Sequence, residues 1–410
     1  MTRFHYWLRR VASFLIGLVF FVSGLLKLMD PVGTKLIVEA YLHFLKIGFL
    51  DFAALPAGVL LALVEAWTGA ALITGVFRRL AALTASVLIG FFTLVTLVLW
   101  IANPEMDCGC FGEAVHLTHR QSFLKNVVLC VLAVIAFVPL RHYGRPRRHK
   151  YLPFWLVAVS LAAFSVYSLL YIPLVDFTPF NLSSMLYAAA GDEPDADTEE
   201  YVQAFVYEKN GKEGVFTLDR LPDSTWTFVR AEPLRKQDHI RETAFPALPF
   251  TDAEGNYRDV LAASGPVMVV SVYHPEKLSA RAWNETAALL SGADGEGFTP
   301  LLLLAAAPGT VRTFLSSDAV DAATAQVLSD AAYYADYKTL VSLNRSNGGA
   351  VYFHEGNLIE KWARRNLPDA KRLAKLARKD ATDAMVSSST KGRLSFQAFV
   401  LYAFAALLFL

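Results

Sequence analysis

The chain has 410 residues, of which 54% are hydrophobic, and a formal net charge of +1. This length and apolar content exclude a single ordinary soluble domain. The charges are segregated along the chain instead of forming one contiguous basic face, which argues against a nucleic-acid-binding protein. Three cysteines are too few for a disulfide scaffold, and they lack the paired knuckles of a structural zinc site.

Six apolar runs are long enough to cross a membrane, because about 20 helical residues span a hydrocarbon core of ~30 Å. They cover residues 11–29, 56–76, 80–101, 122–140, 151–173 and 394–410. The first follows a basic segment, as in a signal peptide, but it is too long for a signal core and no small-residue cleavage site follows it. The last is at the lower length limit. We predict a sixth span there, with an interfacial or partner-packed helix as the alternative.

Lysine and arginine in the short loops predict the orientation, since they favour the cytoplasmic side. Ten lie on the side of the N-terminus, namely Arg3, Arg9, Arg10, Arg78, Arg79, Arg141, Arg145, Arg147, Arg148 and Lys150. The opposite loops carry Lys35, Lys46 and Arg120. We therefore predict a multi-pass protein of the bacterial inner membrane with a cytoplasmic N-terminus. Everything after the fifth span then faces the periplasm.

Two ionisable residues lie within the predicted spans. A carboxylate is costly in hydrocarbon, so Glu65 should face the bundle interior and either pair or stay protonated. A structural hydrogen bond and a role in proton or quinone chemistry are both open for it. Lys27, near the outer end of the first span, is predicted to extend to the interface. Residues 34–50 have apolar residues at helical spacing, which predicts an interfacial helix.

The segment Asp107–Gly112 (Asp-Cys-Gly-Cys-Phe-Gly) lies in a short polar loop between the third and fourth spans. Cys108 and Cys110 can close a small disulfide ring near the limits of normal geometry. Gly109 helps, because glycine adopts backbone angles that other residues avoid. A strained disulfide is more oxidising than a relaxed one, so this pattern predicts a redox pair that faces the periplasm.

Other interpretations of these cysteines stay open. A loop-locking disulfide or two unreactive thiols would be structural, and a metal site would need His116 and His119 as further ligands. A protonated form of either histidine would favour a thiolate, whereas Asp107 would disfavour one. Cys130 lies deep in the fourth span, where we expect a small buried hydrophobic residue.

The first span contains Gly17–Pro31 (GLVFFVSGLLKLMDP), which resembles the first-helix signature of the DoxX family. The second span with Glu65, and the CGCFG segment that begins at Cys108, resemble the related MauE branch. The resemblance covers about residues 8–141 and implies a four-helix membrane bundle. DoxX relatives are linked to quinone-coupled oxidation of sulfur compounds, and MauE to maturation of a disulfide-rich periplasmic enzyme. For this chain the resemblance implies a quinone and a periplasmic client protein.

Residues 174–393 differ in character from the membrane runs. Asp192–Glu200 is an acidic linker-like stretch, and two strands around Asn210-Gly211, a favoured tight turn, predict a hairpin. A further strand is predicted at 226–230. Beyond residue 245 we predict strands at 266–273 and 298–305, a hairpin of 350–354 with 358–362, and helices at 276–290, 309–330, 336–343 and 368–378. This order predicts an α/β sheet domain.

That order resembles the thioredoxin/peroxiredoxin superfamily over about residues 245–380. Phe250–Asn256 is similar to the opening hairpin of such proteins, and Val351–Trp362 to their terminal hairpin. The segment Tyr273–Lys277 (Tyr-His-Pro-Glu-Lys) stands where a thioredoxin has Cys-x-x-Cys, and Asn347-Gly348-Gly349 replaces the cis-proline. The domain contains no cysteine, so it cannot exchange thiols. It could bind an extended peptide or partner protein, with His274 as a contact or as a structural residue.

The predicted fold is thus a membrane α-helical bundle joined to an extracytoplasmic α/β thioredoxin-like domain. The units are a DoxX/MauE-like domain at 1–141, a basic loop and fifth span at 142–175, a linker and hairpin at 176–243, the thioredoxin-like domain at 244–380, and the final span at 394–410.

Three functions are open from the sequence, and it does not settle whether the protein is an enzyme. In the first, Cys108 and Cys110 exchange electrons with a periplasmic client, and a quinone in the lipid-embedded bundle accepts them. In the second, the protein is a non-catalytic envelope scaffold whose degenerate thioredoxin-like domain binds a partner. In the third, it transports a small molecule along a path that includes Glu65.

Overall fold

The computed structural model describes residues 3–104, 106, 108–138, 148–182, 201–209, 212–217, 227–235, 247–310 and 321–410. The predictions for the acidic linker, the Asn210-Gly211 turn, Asp107 and most of the basic loop lie outside these residues. The described part comprises a bundle of long helices, a separate three-stranded sheet, and a unit of residues 247–377 that we call the α/β domain.

Six helices of the described residues are long and apolar enough to span a membrane, which supports the predicted membrane region. They are α1 (Arg3–Met29), α3 (Ala54–Thr74), α4 (Arg78–Ala102), α5 (His119–Phe137), α6 (Tyr151–Leu170) and α12 (Ala381–Phe409). Between the first two lie α2 (Pro31–Phe44) and a 3-10 turn (Gly48–Ala53). The short strand β1 (Cys110–Glu113) lies between α4 and α5. The helix α2 begins earlier than predicted, because Asp30 caps it by accepting a hydrogen bond from the N–H of Gly33.

Helices α1 and α3 form the centre of the bundle, with their backbones in contact. A methyl group at Gly24 would lie 2.5 Å from the carbonyl oxygen of Ala62, and one at Gly69 would lie 2.4 Å from the nitrogen of Phe21. Only glycine fits at such distances, and small residues are the usual means of close packing between membrane helices. This contact fixes the relative position of the two helices that carry Lys27 and Glu65.

The α/β domain contains one five-stranded sheet. Its strands are β5 (Pro266–Val272), β6 (Thr299–Leu304), β7 (Ala332–Tyr334), β8 (Gly349–His354) and β9 (Asn357–Trp362). The order is β7-β6-β5-β8-β9, with β5, β6 and β7 parallel and the last two antiparallel to their neighbours. The predicted strands and terminal hairpin are confirmed within a residue or two, whereas β7 is too short to show a pattern in the sequence.

Within the described residues, five helices accompany this sheet. They are α7 (Val260–Ala263), α8 (Ala280–Gly295), α9 (Ala322–Asp330), α10 (Tyr337–Leu343) and α11 (Ala370–Ala377). The helix α8 begins later than predicted, because Ser279 caps it and a 3-10 turn precedes it. The opening hairpin predicted at 250–256 is confirmed as a short antiparallel turn, in which Thr251 bridges Tyr257 and the N–H of Arg258 donates a hydrogen bond to the Phe250 carbonyl. Thr251 also bridges Tyr334 of β7.

A second sheet of three antiparallel strands precedes the α/β domain. Strands β2 (Tyr201–Lys209) and β3 (Lys212–Thr217) form the predicted hairpin, and β4 (Thr227–Arg235) pairs with the other edge of β2. The strand β4 is longer than predicted and contains Pro233. Proline is tolerated there because β4 is an edge strand.

The α/β domain contacts the bundle at the end that carries the cysteine loop. Val32 and Leu36 of α2 pack against its hydrophobic core. Arg345 of the domain forms a buried ion pair with Asp30, and its guanidinium lies 3.9 Å from the carboxylate of Glu113, just after the cysteines. The cysteine loop and the α/β domain are therefore neighbours.

Candidate functional site

Cys108 and Cys110 lie in the connection between α4 and α5, with their sulfur atoms 3.1 Å apart. Cys108 is buried and Cys110 is half-buried. Gly109 between them has a φ of +63°. A methyl group on it would lie 2.3 Å from the side chain of Ile37, so both the conformation and the packing require glycine. This geometry brings both predicted thiols together on one side of the loop.

A buried ion pair lies directly beneath the cysteine loop. The Nζ atom of Lys27 lies 2.7 and 2.8 Å from the two carboxylate oxygens of Glu65. Glu65 is 0% exposed and Lys27 is 6% exposed. The predicted inward placement of Glu65 is confirmed. The prediction that Lys27 extends to the interface is wrong, because the carboxylate on the neighbouring helix binds it inside the bundle.

Ser23 connects this ion pair to the cysteine loop. Its hydroxyl oxygen lies 2.8 Å from a carboxylate oxygen of Glu65 and 2.7 Å from the carbonyl oxygen of Cys110. The hydroxyl has one hydrogen, so it donates to one of these acceptors at a time, while it accepts a hydrogen bond from Lys27 at 3.2 Å. The charged side chains of the two helices are thus connected through one hydroxyl, that of Ser23, to the backbone of Cys110.

Helix α5 contributes further polar groups. The Nζ atom of Lys125 lies 4.8 Å from the centroid of the Phe111 ring, next to Cys110. One residue further, the amide of Asn126 donates a hydrogen bond of 3.1 Å to the hydroxyl of Thr96. Sequence reasoning missed both residues. The sequence contained a pattern that indicates them, because Ser122, Lys125 and Asn126 are polar residues at helical spacing in an apolar span.

The two thiols have opposite acid strengths. A hydrogen bond from Cys108 lowers the pKa of Cys110 to about 5, and the positive charges of Lys125 and Lys27 act in the same direction against the effect of burial. The same hydrogen bond, together with burial, raises the pKa of Cys108. An unperturbed thiol has a pKa of about 8.5. In the reduced pair the negative charge is therefore favoured on Cys110 and disfavoured on Cys108.

We expect this asymmetry to be visible in alkylation of the reduced protein. With a pKa of about 5, Cys110 stays a thiolate as the pH falls to about 6, and its reaction with iodoacetamide slows only near pH 5. Cys108 should react only at alkaline pH. Peptide mass spectrometry measures each site separately. Lys125→Met should shift the Cys110 profile to higher pH and Lys125→Arg should not. An unchanged profile in Lys125→Met would contradict the assigned cause.

An apolar cavity of about 430 Å³ adjoins the two cysteines. Its polar end is formed by Ser23, Lys27, Glu65, Cys108, Cys110, Lys125 and Asn126. The remaining walls are mostly aliphatic and aromatic. They include Leu45 of the segment after α2 and Phe91 and Leu94 of α4, which are exposed on the side of the bundle. The cavity thus extends from the cysteines to the surface that lipid would cover.

The remaining predicted residues lie apart from this cavity. Cys130 does not line it and packs within the bundle, with its sulfur 3.4 Å from the hydroxyl of Thr93. His119 contacts the carbonyl oxygen of Pro104. The cations beside Cys110 are lysines, so the role predicted for His116 or His119 is filled by Lys125 and Lys27. Over the described part of the chain, no three His, Cys, Asp or Glu residues are grouped to hold a metal ion.

Comparison with known proteins assigns part of this chain. Residues 5–139, about a third of its length, match the family described as methylamine utilisation protein MauE. Residues 201–236 match a domain of unknown function, DUF8463, which coincides with the three-stranded sheet. No curated protein and no solved structure matches the chain. The part of the bundle that carries Glu65, Cys108 and Cys110, from α1 to α5, is therefore a MauE-like membrane domain.

Proposed function

We propose that Cys108 and Cys110 are a redox pair that a periplasmic client reduces and a lipid-soluble quinone oxidises. One observation carries this proposal. The two sulfurs lie 3.1 Å apart at the polar end of an apolar cavity that extends to the lipid-facing side of the bundle. A quinone combines an apolar tail with a ring that accepts hydrogen bonds, which is the chemistry that such a cavity suits.

The proposed reaction balances in two halves. In the first, the Cys108 thiol and the Cys110 thiolate form one S–S bond and release two electrons and one proton. The quinone takes up both electrons, this proton and a second proton from water, and becomes a quinol. In the second, two client thiols exchange with this disulfide, so that the client becomes the disulfide and both cysteines are reduced. In the first half the Cys110 thiolate, whose pKa is lowered, is the nucleophile toward the quinone, and Cys108 is the resolving thiol. In the second half a client thiolate attacks Cys108, and Cys110 leaves because it is the thiol of lower pKa.

The polar groups around the cavity have separate proposed roles. Lys27 and Lys125 favour the negative charge of the Cys110 thiolate. Glu65 holds Lys27 in place by accepting hydrogen bonds on both carboxylate oxygens. Glu65 thus acts on the reaction through Lys27.

We further propose that the protein lies in a bacterial inner membrane, with the cysteine loop and the α/β domain in the periplasm. The asymmetry of basic residues in the loops supports this orientation. A thioredoxin-like ancestry of the α/β domain is supported by the order β6-β5-β8-β9, with α8 between the parallel strands and α11 after the hairpin. It has no cysteine, so the client must be another molecule.

A non-catalytic envelope scaffold is the second candidate function. It is supported by the hydrogen bonds at the segment where a thioredoxin would carry its cysteines. There the side chain of Asn347 accepts hydrogen bonds from the N–H groups of Tyr273 and His274 and donates one to the His274 carbonyl. In a scaffold, Cys108 and Cys110 would only lock the loop. A transporter is less favoured, because both carboxylate oxygens of Glu65 are bonded to Lys27.

The test follows the thiols of purified protein in lipid nanodiscs across a series of redox buffers. Alkylation and mass spectrometry should show that Cys108 and Cys110 change state together. A short-chain ubiquinone added to reduced protein should remove both thiols and form one quinol per protein. Cys130→Ser is the matched control, since it removes the one cysteine outside the cavity. If the pair keeps one state from strongly reducing to oxidising buffers, the proposal fails and the scaffold remains.

A further inference from the structure

Arg345 joins the α/β domain to the membrane bundle through a buried contact. Its Nε and Nη2 atoms lie 2.9 and 2.8 Å from one carboxylate oxygen of Asp30. The other oxygen of Asp30 accepts the N–H of Gly33 and so caps α2. Both charged side chains are almost fully buried, and a buried pair with such geometry is costly to break. The domain is therefore attached to the start of α2.

Further contacts extend this attachment along one side of α2. The ammonium group of Lys35 donates a hydrogen bond of 2.9 Å to the hydroxyl of Tyr337 in α10. Val32 and Leu36 pack against the core of the α/β domain. These residues are spaced at three and four positions, which places them on one face of the helix. One face of α2 thus belongs to the interface with the domain.

An adjacent face of α2 covers the cysteine loop. The side chain of Ile37 lies where a methyl group on Gly109 would be, and the hydroxyl of Tyr41 donates a hydrogen bond to the carbonyl oxygen of Cys108. Residues 33, 37 and 41 repeat every four positions, and a methyl group on Gly33 would lie 2.7 Å from the Glu113 side chain. The helix α2 therefore lies against the α/β domain with one face and against the redox loop with the next.

We propose that the α/β domain is an internal clamp that holds α2 over the Cys108/Cys110 loop and limits which molecules reach these thiols. The surface that the sequence predicts to bind a partner contacts this chain's own bundle. The ring centroids of His274 and Tyr337 lie 5.3 Å apart, and the Tyr337 hydroxyl accepts a hydrogen bond from Lys35 of α2. Release of the clamp exposes the loop to a protein client. That such a client exists rests on the proposed function, whereas the clamp itself does not depend on turnover.

The test compares labelling of the reduced protein by a small and a bulky maleimide. Arg345→Glu places a negative charge against Asp30 and Glu113, so we expect labelling of Cys110 by a polyethylene-glycol maleimide to rise about tenfold. Labelling by N-ethylmaleimide should change much less. Arg345→Lys keeps the charge and should resemble the unaltered protein.

A second variant releases the domain by another route. Val32→Glu with Leu36→Glu introduces charges into the apolar part of the interface and leaves the Asp30 cap intact. The control is Lys361→Met, which breaks the ion pair of the domain with Asp176 and leaves the Arg345–Asp30 pair and the Val32 and Leu36 contacts in place. If neither Arg345→Glu nor the double variant raises bulky labelling, or if Lys361→Met raises it equally, the clamp is wrong.

Quinone reduction separates the clamp from the proposed function. With a small dithiol as the electron donor, Arg345→Glu should reduce the quinone at the rate of the unaltered protein. With a reduced protein dithiol as the donor, the variant should reduce the quinone faster than the unaltered protein does. If bulky labelling rises while no variant reduces quinone with any donor, the proposed function fails and the clamp stands. If turnover is normal and bulky labelling never changes, the clamp fails alone.

Discussion

Cys110→Ser should lower dithiol-dependent quinone reduction by about a thousandfold or more, because removal of a nucleophile commonly costs at least that much. The hydroxyl of serine is not ionised at neutral pH, and the neighbouring Lys125 and Lys27 cannot compensate for the lost thiolate. Cys108→Ser should lose the steady-state reaction to a similar extent, since one sulfur cannot form an internal disulfide. Turnover is measured in nanodiscs with a short-chain ubiquinone.

The two variants should nevertheless fail at different steps. Oxidised glutathione should convert Cys108→Ser to a stable adduct on Cys110, because the reactive thiolate is present and the resolving thiol is not. Cys110→Ser should form the adduct far more slowly, since burial still raises the pKa of Cys108 and disfavours its thiolate. Cys130→Ser should retain full turnover. Equal adduct formation in both variants would contradict the assigned roles.

The membrane part of the fold could be predicted from the sequence because each span is a long apolar run, and such runs need no knowledge of their neighbours. The cysteine pair was equally visible, since it stands in a polar loop between two runs. The short strand β7 was missed, because three residues carry no periodic pattern. The opening hairpin at 250–256 could be predicted because Asp252–Asn256 is a turn sequence, and the bridge between Thr251 and Tyr257 closes it.

The errors in the site have one physical origin. Lys27 was placed at the interface because a lone lysine near a helix end usually extends to water, but its partner Glu65 is 38 residues away in sequence. Lys125 was overlooked and the histidines were favoured, because they are nearer to the cysteines along the chain. Contacts between helices decide the charge around a buried thiol, and a single sequence does not reveal them.

Lys27→Met should strongly destabilise the protein, because it leaves the carboxylate of Glu65 buried without its cation. Loss of one partner of a buried ion pair costs about 3–5 kcal/mol in the free energy of unfolding. We expect a lower midpoint of thermal unfolding in nanodiscs. The double variant Lys27→Met with Glu65→Leu should recover most of this loss, because no buried charge is left. Both replacement side chains are apolar and similar in volume to the original ones.

The same variants separate packing from electrostatics at Cys110. Lys27 is one of the charges that lower the pKa of this thiol, so both variants without it should show iodoacetamide profiles shifted to higher pH. Glu65→Gln instead leaves Lys27 charged beside the thiolate, and its profile should not shift upward even though its stability falls. A stable double variant with an unshifted profile would show that Lys27 stabilises the fold but does not affect the pKa of Cys110. A stable double variant with a raised pKa and slower quinone reduction would show that the ion pair acts on the chemistry of the cysteines.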